Sequence, residues 1–308
     1  MTTKKFRISI AGLLLLVVGF SACKKRRLDK ETTSSEDNSA AEQMFDDVFN
    51  VTDKFDDTES DMDGENKTGT LNDTCYTHPL YSCLEICKEY IDVTNWERTI
   101  TFDFGTTGCT TGDGRNRTGK VIAHRTDKYR NPGSTTVITT DGYTVDGYLV
   151  EGTKTITNLG KNALDQQQYS VVVSGEITTP DSDIITWNSS RTRTWIEGAD
   201  TWILGTLNTD GSIDSLYWIG VDGIYDDVWE ITGNGDGVNR NGRAFDIEIT
   251  SALRVQWCQP YIEVTQGIIE LQPEDLSARS VDFGDGTCDN KAVATIGNND
   301  YEFNLRKN

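Results

Sequence analysis

Histidine and proline are scarce in this chain of 308 residues, which has two histidines and five prolines. His78 and His124 are the only imidazoles, and a GxSxG nucleophile turn is absent, so the sequence reveals no hydrolase triad. Lysine and arginine are outnumbered, 29 against 49 acidic residues, which gives a formal net charge of −20. Such a surface repels nucleic acid, and no basic aromatic patch offsets it. We therefore expect no nucleic-acid partner.

Long apolar runs are absent except near the N-terminus, where Ile8–Phe20 follows three cations. This run is shorter than the roughly 20 residues that a membrane-spanning helix needs, and it ends in the small pair Ser21-Ala22. Residues 1–22 therefore have the pattern of a signal peptide. The cysteine that follows, Cys23, resembles a lipobox cysteine, which is alkylated by diacylglycerol and becomes the new N-terminus. The alternative is an ordinary secretory peptide with a coincidental cysteine.

A lipid on Cys23 would make the membrane the first partner of the mature chain. Each buried methylene of an acyl chain such as palmitate contributes ~0.8 kcal/mol to anchoring. The basic run Lys24–Arg27 adds attraction to anionic headgroups. Surface-displayed lipoproteins of the Bacteroidota type usually carry an acidic cluster here. This resemblance, and the departure from it, predict an outer-membrane lipoprotein on the periplasmic face.

Residues 23–72 are predicted to form a lipid-anchored acidic linker. Between Asp29 and Asn66 there are fourteen acidic residues and two lysines, which is typical of a solvated, disordered tether. Apolar residues recur at helical spacing from Met44 to Phe49, so we expect a short amphipathic helix over residues 40–55. Such a helix would dock on the domain or, as a second hypothesis, bind a partner protein.

The remaining residues, 73–308, are predicted to form one disulfide-bonded, all-β domain. Period-two apolar runs separated by Asp-Gly and Asn-Gly turns indicate antiparallel strands, arranged as a sandwich or a curved meander. The turns are Asp141-Gly142, Asp210-Gly211, Asp222-Gly223 and Asn241-Gly242. The strands are 99–104, 169–173, 184–187, 215–219, 228–231, 244–249, 262–271, 292–296 and 301–305.

Six cysteines remain after Cys23, an even number that suggests disulfides in an exported chain. Cys258 and Cys288 stand apart from the others and are natural partners. Of the fifteen possible pairings of six cysteines, we prefer the one that adds Cys87–Cys109 and Cys75–Cys83. The CxxxC spacing of Cys83 and Cys87 raises zinc binding as an alternative, but only His78 lies near to support it. We expect no metal and no cofactor.

Two triplets recur at equal distances before a cysteine. Asp103-Phe104-Gly105 precedes Cys109, and Asp282-Phe283-Gly284 precedes Cys288. A kinase interpretation fails, because no Gly-rich phosphate loop and no HRD motif accompany them. We expect each glycine to end a strand where the backbone turns sharply.

Two classes of function remain open. The first is a non-enzymatic envelope lipoprotein that binds a ligand, a glycan or an envelope protein, or has a structural role. The second is a carbohydrate-active enzyme or sugar-binding module, which the tryptophans on predicted strands would serve by stacking on sugar rings. The first is favoured because no catalytic residue can be named. A speculative ligand face consists of Arg191, Arg193, Arg240 and Arg243, although pairing with local acids on a solvated face is the favoured explanation of these cations.

Several stretches together resemble a family of uncharacterised Bacteroidota cell-envelope lipoproteins. They are Trp96–Cys109, Gly112–Lys120, Gly152–Asn158, Ile185–Trp195, Gly237–Arg243 and Val281–Asn290. The resemblance covers most of the chain after Cys87. It implies an envelope location but assigns no activity, so it transfers no catalytic residue. The pair Cys75 and Cys83 departs from the family, which is consistent with a local disulfide between them.

Overall fold

The protein forms a long antiparallel meander that curls around one N-terminal helix. The computed structural model describes Asp29 and residues 31–54, 74–92, 96–199, 226–259 and 261–305. The helix α1 is Thr33–Lys54. The strands are β1 (Thr74–Thr77), β2 (Glu85–Asp92), β3 (Glu97–Asp103), β4 (Cys109–Thr110), β5 (Asn116–Arg125), β6 (Thr135–Val145), β7 (Tyr148–Lys161), β8 (Gln167–Thr178), β9 (Ile184–Glu197), β10 (Val228–Val238), β11 (Ala244–Cys258), β12 (Tyr261–Pro273), β13 (Arg279–Asp285), β14 (Lys291–Ile296) and β15 (Asn299–Asn304).

Each strand pairs with its neighbours in chain order, apart from the two-residue β4, which pairs with β5 beside this path. The expected antiparallel β class is therefore confirmed, and of the two expected arrangements the curved meander is found. Within the described residues, the path runs from β1 to β15 as an open sheet. Its concave face contacts α1 through β5 to β9 and through β12.

Inward and outward side chains alternate along the strands, as the sequence predicts. In β3, Arg98, Ile100 and Phe102 point inward and are buried, while their neighbours are partly exposed. The strands at positions 99–104, 169–173, 184–187, 228–231, 244–249, 262–271, 292–296 and 301–305 are confirmed, mostly as parts of longer strands. The expected strand at 215–219 and the turns Asp210-Gly211 and Asp222-Gly223 lie outside the described residues.

Of the predicted turns in the described residues, Asn241-Gly242 is confirmed and Asp141-Gly142 is wrong. Asn241-Gly242 lies in the turn between β10 and β11, where Asn239 N donates to Arg243 O at 2.9 Å. Asp141-Gly142 lies within β6, at a register shift rather than a hairpin turn. The bulge brings Gly119 of β5 so close to β6 that a Cβ at position 119 would lie 2.2 Å from Gly142 O, so only glycine fits there.

The repeated DFG triplets form the same local turn. Gly105 N donates to Asp103 Oδ1 at 2.8 Å, and Gly284 N donates to Asp282 Oδ1 at 2.9 Å. Both glycines have positive φ, +69° and +96°. Gly105 lies just after the end of β3, as expected, and Gly284 is the next-to-last residue of β13.

The helix begins earlier than predicted. The sequence pattern placed its start at Ala40, but α1 begins at Thr33, and its first two turns consist largely of Ser, Asp and Asn. These residues lack the apolar periodicity on which the prediction relied. Thr32 O accepts the first helical hydrogen bond, from Glu36 N at 2.9 Å.

The core lies between α1 and the concave face of the sheet. Met44, Phe45, Val48 and Phe49 are buried there. Phe45 stacks on Trp187 of β9, with ring centroids 5.8 Å apart. Docking, the first of the two hypotheses for this helix, is therefore confirmed.

Three disulfides join Cys75–Cys87, Cys83–Cys109 and Cys258–Cys288. The preferred pairing of Cys258 with Cys288 is confirmed, whereas Cys87–Cys109 and Cys75–Cys83 are wrong. Cys75 and Cys87 are cross-strand neighbours in β1 and β2, with Cα atoms 4.0 Å apart. Linear spacing did not reveal this register, because it depends on how the two strands pair.

Disulfide mapping of the oxidised protein should recover these three pairs. We expect mass spectrometry of a non-reduced digest to find Cys75–Cys87, Cys83–Cys109 and Cys258–Cys288, with no free thiol among the six. A peptide that links Cys87 to Cys109 would contradict the register of β1 and β2.

Gly175 of β8 should be intolerant of a side chain, because a Cβ there would lie 2.3 Å from Phe45 Cζ and 2.5 Å from Glu151 O. We expect Gly175→Ala to destabilise the protein by about 1–3 kcal/mol, as overpacking does in other cores. Urea unfolding measures this loss. Ser174→Ala, on the exposed face of the same strand, is the matched control and should change the free energy of unfolding little. Equal stability of the two variants would show that α1 does not press on β8.

Candidate functional site: a basic trough that holds an acidic helix

The docked helix is unusual because most of its polar side chains are buried. Its acidic residues were expected to face water as part of a solvated linker. Seven polar residues of α1 are nevertheless buried: Ser34, Ser35, Asp37, Asn38, Ser39, Asp47 and Thr52. A buried polar or charged group is tolerated only where it is paired, so the sheet must supply its partners.

The concave face of the sheet supplies cations. We call this surface the basic trough, defined by the side chains that contact the N-terminal segment: Arg115, Arg117, Arg125, Lys154, Arg191, Arg193, Arg240 and Arg279. They come from strands or turns spread over more than 150 residues of sequence. Alternation places the cations of the strands inward, where water cannot solvate them fully, whereas Arg115 and Arg240 lie in turns.

At the N-terminal end of α1, two acids before the helix and one within it bind the trough. Arg279 lies 3.1 Å from Asp29 and 2.6 Å from Glu31. Arg240 Nε donates to Asp37 Oδ1 at 2.6 Å, and its backbone N donates to Asp37 Oδ2 at 2.7 Å. The side-chain hydrogen bond that Arg240 donates to Asp37 is the main cause of a raised pKa for Arg240. These contacts hold the chain against the sheet from Asp29 onward.

At the centre of α1, Asp47 is the acceptor for a buried network. Arg117 Nε donates to it at 3.1 Å, Tyr143 Oη donates at 2.6 Å, and Arg115 lies 3.1 Å away. Burial opposes ionisation of Asp47, but the two guanidinium groups outweigh burial and hold its pKa below the ordinary 3.8. Burial and the Asp47 charge raise the pKa of Tyr143 well above its usual range. Arg117 also binds Asp113, at 2.8 Å.

Beside this network, Lys154 of β7 is buried and donates to Phe45 O and Asp46 Oδ1, each at 3.0 Å. Burial lowers the pKa of Lys154, and Asp46 opposes that shift. The ammonium group therefore replaces its lost water with one backbone and one carboxylate acceptor.

The contact between Glu42 and Arg191 is less complete. Arg191 Nη2 lies 3.7 Å from Glu42 Oε1, which is too far for a hydrogen bond. Burial raises the pKa of Glu42 above 4.5, with Arg191 opposing the shift. This is the weakest match between the helix and the trough.

The structure separates the four arginines of the speculative ligand face. Arg191 and Arg193 do point to the same side of β9, as their spacing predicts, but that side is the core. Arg193 packs over Trp229, with its Cζ 3.7 Å from the ring centroid. Arg240, in the β10–β11 turn, binds Asp37 of α1. Arg243 lies outside the trough, where its Nη1 donates to Glu274 O. An exposed four-arginine ligand face is therefore absent.

Sequence reasoning missed most of the trough. Arg115, Arg117 and Arg279 were not singled out, since an isolated arginine in a strand carries no signal of its partner. One clue was available: inward positions of β3 and β5 hold Arg98, Arg117 and Arg125 where apolar residues are normal.

A cleft that is partly open to solvent runs along one side of α1. Its helix side consists of Ser39, Glu42, Gln43, Asp46, Asp47 and Asn50. Its opposite wall includes Val255, Ile262, Val264 and Phe283, from β11 to β13. Gln43 spans the cleft by donating to Leu305 O. Asp113, Arg115, Glu263 and Asn290 also line the side opposite the helix, so polar groups are present on both sides of the cleft.

The described tryptophans do not form a sugar-binding groove. Trp187, Trp195 and Trp229 are buried in the core, and Trp195 stacks on Trp229 at 4.5 Å. Trp96 and Trp257 are partly exposed and do not line the cleft, while Trp202 and Trp218 lie outside the described residues. His124 lies 3.5 Å from Glu97, and His78 stacks on Tyr81. The other ring nitrogen of His124, Nδ1, lies 3.4 Å from Thr99 Oγ1.

One group of metal-type ligands occurs in the described part of the chain. Ligand atoms of Cys258, Glu263 and Cys288 lie within 4.8 Å of one another. The two cysteines are joined as a disulfide, so they offer no thiolates in the oxidised protein. The CxxxC cysteines Cys83 and Cys87 bind separate partners, Cys109 and Cys75, and do not form a common site.

Comparisons with protein families, with curated proteins and with solved structures find no match to this chain. The resemblance to Bacteroidota lipoproteins therefore stays a prediction. Among the described helices, none is long and apolar enough to cross a membrane.

Removing the charge of Asp47 should undo the central contact. We expect Asp47→Asn to destabilise the protein by about 3–5 kcal/mol, because it leaves the buried Arg117 and Arg115 without their main counter-charge. Urea unfolding at pH 7 measures the change. Glu197→Gln, which breaks the exposed pair with Arg254, is the control and should cost about 0–1 kcal/mol.

Acid unfolding of the native protein and of Asp47→Asn tests how the central contact depends on pH. A carboxyl with a lowered pKa stabilises the folded state above its unfolded pKa and loses that effect as the pH falls through its folded pKa. The native chain should therefore lose stability below about pH 4, and Asp47→Asn should flatten this decline. Identical acid profiles for both proteins would mean that Asp47 is not the counter-charge of the trough.

Proposed function

We propose that this protein is a lipoprotein of the bacterial cell envelope, anchored through Cys23 to the periplasmic face of the outer membrane. Its sheet domain binds a ligand or an envelope partner, or has a structural role, without catalysis. The observation that carries the proposal is that the chain is fixed to the sheet from Asp29, six residues after the lipobox cysteine.

This short separation along the chain would hold the domain close to the membrane. Six extended residues span at most about 20 Å, so a lipid on Cys23 would hold Arg279 close to the bilayer. Ser277 N also donates to Asp29 Oδ2, at 3.2 Å, which places the β12–β13 turn at the membrane-proximal end. The β10–β11 turn lies at the same end, because Phe245 pairs with Pro273. The effective tether is then 23–28, with the basic run Lys24–Arg27 inside it.

A non-enzymatic role is supported by how the charged residues are used. Asp37 and Asp47 are bound to arginines of the trough, so the acids of the helix serve to hold it in place. His124 contacts the hydroxyl of Thr99 rather than a serine or cysteine, with Nδ1 and Oγ1 3.4 Å apart. The partly apolar cleft beside α1 offers a concave surface for a ligand.

One observation favours the alternative, a carbohydrate-active enzyme or sugar-binding module. Glu42 has a raised pKa and Asp47 a lowered one, and both line the cleft, a pattern found in acid–base pairs. Against it, Asp47 is engaged by two arginines and Tyr143. A glycan array separates the two: turnover of a bound glycan would establish the enzyme, and binding alone would establish a sugar-recognition role.

Anchoring is tested by replacing the lipobox cysteine. We expect Cys23→Ser to abolish incorporation of labelled palmitate and to release the protein from the membrane fraction. Continued incorporation in this variant would refute the anchor.

The orientation is tested in the acylated protein with a fluorophore on Ala278→Cys, beside Arg279, or on Leu164→Cys at the opposite end of the sheet. A quencher attached to lipid headgroups should quench the first label strongly and the second weakly. Equal quenching would mean that the domain is not held at the membrane through its Asp29 end.

A further inference from the structure

Lys154 of β7 is a primary amine that the fold removes from water. Its side chain is 6% exposed, and its Nζ donates to two groups of α1, Phe45 O and Asp46 Oδ1, at 3.0 Å each. Burial lowers the pKa of Lys154. The uncharged amine is the nucleophilic form of lysine, so burial makes this side chain more nucleophilic at neutral pH than a solvated lysine.

Other lysines of the described chain contact carboxylates without this burial. Lys120, Lys161 and Lys291 each lie within 3.1 Å of a carboxylate oxygen, but their side chains are between 43% and 56% exposed. The hydrogen bond to the carboxylate raises the pKa of Lys120 and of Lys291, which is the opposite of the shift at Lys154. Exposed pairs of this kind are ordinary surface ion pairs. Lys154 therefore differs from them in its environment and not in the type of its partner.

A second carboxyl group, that of Glu42, lies beside this pair. Glu42 precedes Asp46 by four residues, so the two lie on one face of α1, and both line the cleft. Burial raises the pKa of Glu42, Arg191 opposes the shift, and the charge of Asp46 adds to it. Glu42 also interacts with the charge of Lys154. A carboxyl group that retains its proton next to an amine and a carboxylate can act as a general acid.

These three groups together meet the requirements for forming an amide. Two reactants that are held in contact react as if one were present at an effective concentration of roughly 10⁵–10⁸ M. Nζ of Lys154 lies 3.0 Å from Oδ1 of Asp46, and Cγ, the carbon that it would attack, is bonded to that oxygen. Folding therefore brings together the nucleophile, the carbon that it attacks and a proton donor.

We propose that Lys154 and Asp46 condense after folding into an isopeptide bond that joins β7 covalently to α1, with Glu42 as the catalytic acid. The ammonium group first passes one proton to the Asp46 carboxylate, which gives an amine and a neutral carboxyl. The Nζ lone pair attacks Cγ and forms the C–N bond. Glu42 donates its proton to the hydroxyl as the C–O bond breaks, and it takes a proton from Nζ in return. The products are the amide and one water, so no cofactor, oxidant or reductant is required.

The surroundings suit the amide as well as the separate side chains. The amide keeps one N–H on Nζ, which can donate to Phe45 O as the ammonium does. Condensation removes a buried cation, whose desolvation is costly. The Asp46 side chain is 47% exposed and lines the partly open cleft, so the released water has a path to solvent. The bond would hold α1 in the basic trough and thereby fix the N-terminal segment to the sheet.

The test uses the full mature chain with Cys23→Ser, which carries no lipid. We expect the intact mass of the purified, folded protein to be lower, by the mass of one water, than the mass of its sequence with three disulfides. Fragmentation of a digest should find a branched peptide in which Lys154 is joined to Asp46. This peptide should persist after the disulfides are reduced.

Variants separate this bond from other ways of losing water. Lys154→Arg keeps the positive charge but cannot form the amide, so it should have the full mass. Lys161→Arg, at the exposed pair with Asp165, is the matched control and should still lose one water. Asp46→Asn should form the same bond with loss of ammonia instead of water, and Asp46→Ala should form no bond. Circular dichroism and thermal melting verify that each variant is folded.

The role of Glu42 is tested by the rate of condensation. Chains isolated in denaturant before they have folded are refolded under oxidising conditions, and the fraction that has lost water is followed with time. Glu42→Gln should condense roughly 100-fold more slowly or slower still, because it cannot donate the proton. Glu197→Gln, at the exposed pair with Arg254, is the control and should keep the native rate. Equal rates in the two variants would show that Glu42 is not the catalytic acid.

The full mass in the folded native chain would overturn the bond. A water loss that remains in folded Lys154→Arg would also overturn it, because that water would come from elsewhere, such as a cyclic imide at an Asp-Gly step. Should Lys154→Arg fail to fold, a digest of the native chain that yields Lys154 and Asp46 only in separate, unmodified peptides is sufficient to reject the bond. These failures leave lipid anchoring at Cys23 and ligand binding in the cleft standing, since the bond depends on neither.

Discussion

The buried cations on the concave face of the sheet depend on the acidic helix for their counter-charges. Arg117 and Arg279 are almost wholly inaccessible to water, and each is bound to carboxylates of the N-terminal segment. A cation removed from water without a partner is costly, so the curled sheet and the helix stabilise each other. Without the sheet, the helix would expose Phe45 and Phe49 to water. Without the helix, the guanidinium groups of the sheet would lose their carboxylate partners.

This mutual dependence links residues that are remote in sequence. Asp29 and Glu31 bind Arg279 near the end of the chain, and Gln43 binds the carbonyl of Leu305. The N-terminal segment therefore connects the early and the late strands of an open meander whose edges do not pair with each other. Contacts between residues so far apart in sequence form slowly, because closing the long loop between them costs entropy before the contact stabilises the fold.

Glycines allow the sheet to curl closely enough to reach the helix. Gly175 leaves space for the ring of Phe45, and Gly233 approaches Ser190 O so closely that a Cβ would lie 2.2 Å away. The disulfides act at the margins: two hold β1 and the segment around β4 near the first edge, and Cys258–Cys288 holds the end of β11 to the loop before β14. The match between helix and trough is least complete at Arg191, which lies 3.7 Å from Glu42.

The amino-acid sequence by itself determined the antiparallel class, many of the strands, the presence of an N-terminal helix and the pairing of Cys258 with Cys288. These properties follow from local periodicity or from isolation in the sequence, which neighbouring residues suffice to reveal. Only the tertiary structure decided that the acidic segment from Asp29 to Asp47 lies in a basic trough, that Cys75 bonds to Cys87, and that Asp141-Gly142 forms a bulge. Each depends on strand register and sheet curvature, which bring together groups such as Asp47 and Arg117, 70 residues apart. An acidic run predicts a solvated segment, and this prediction is wrong where the fold supplies a basic surface that the run can pack against.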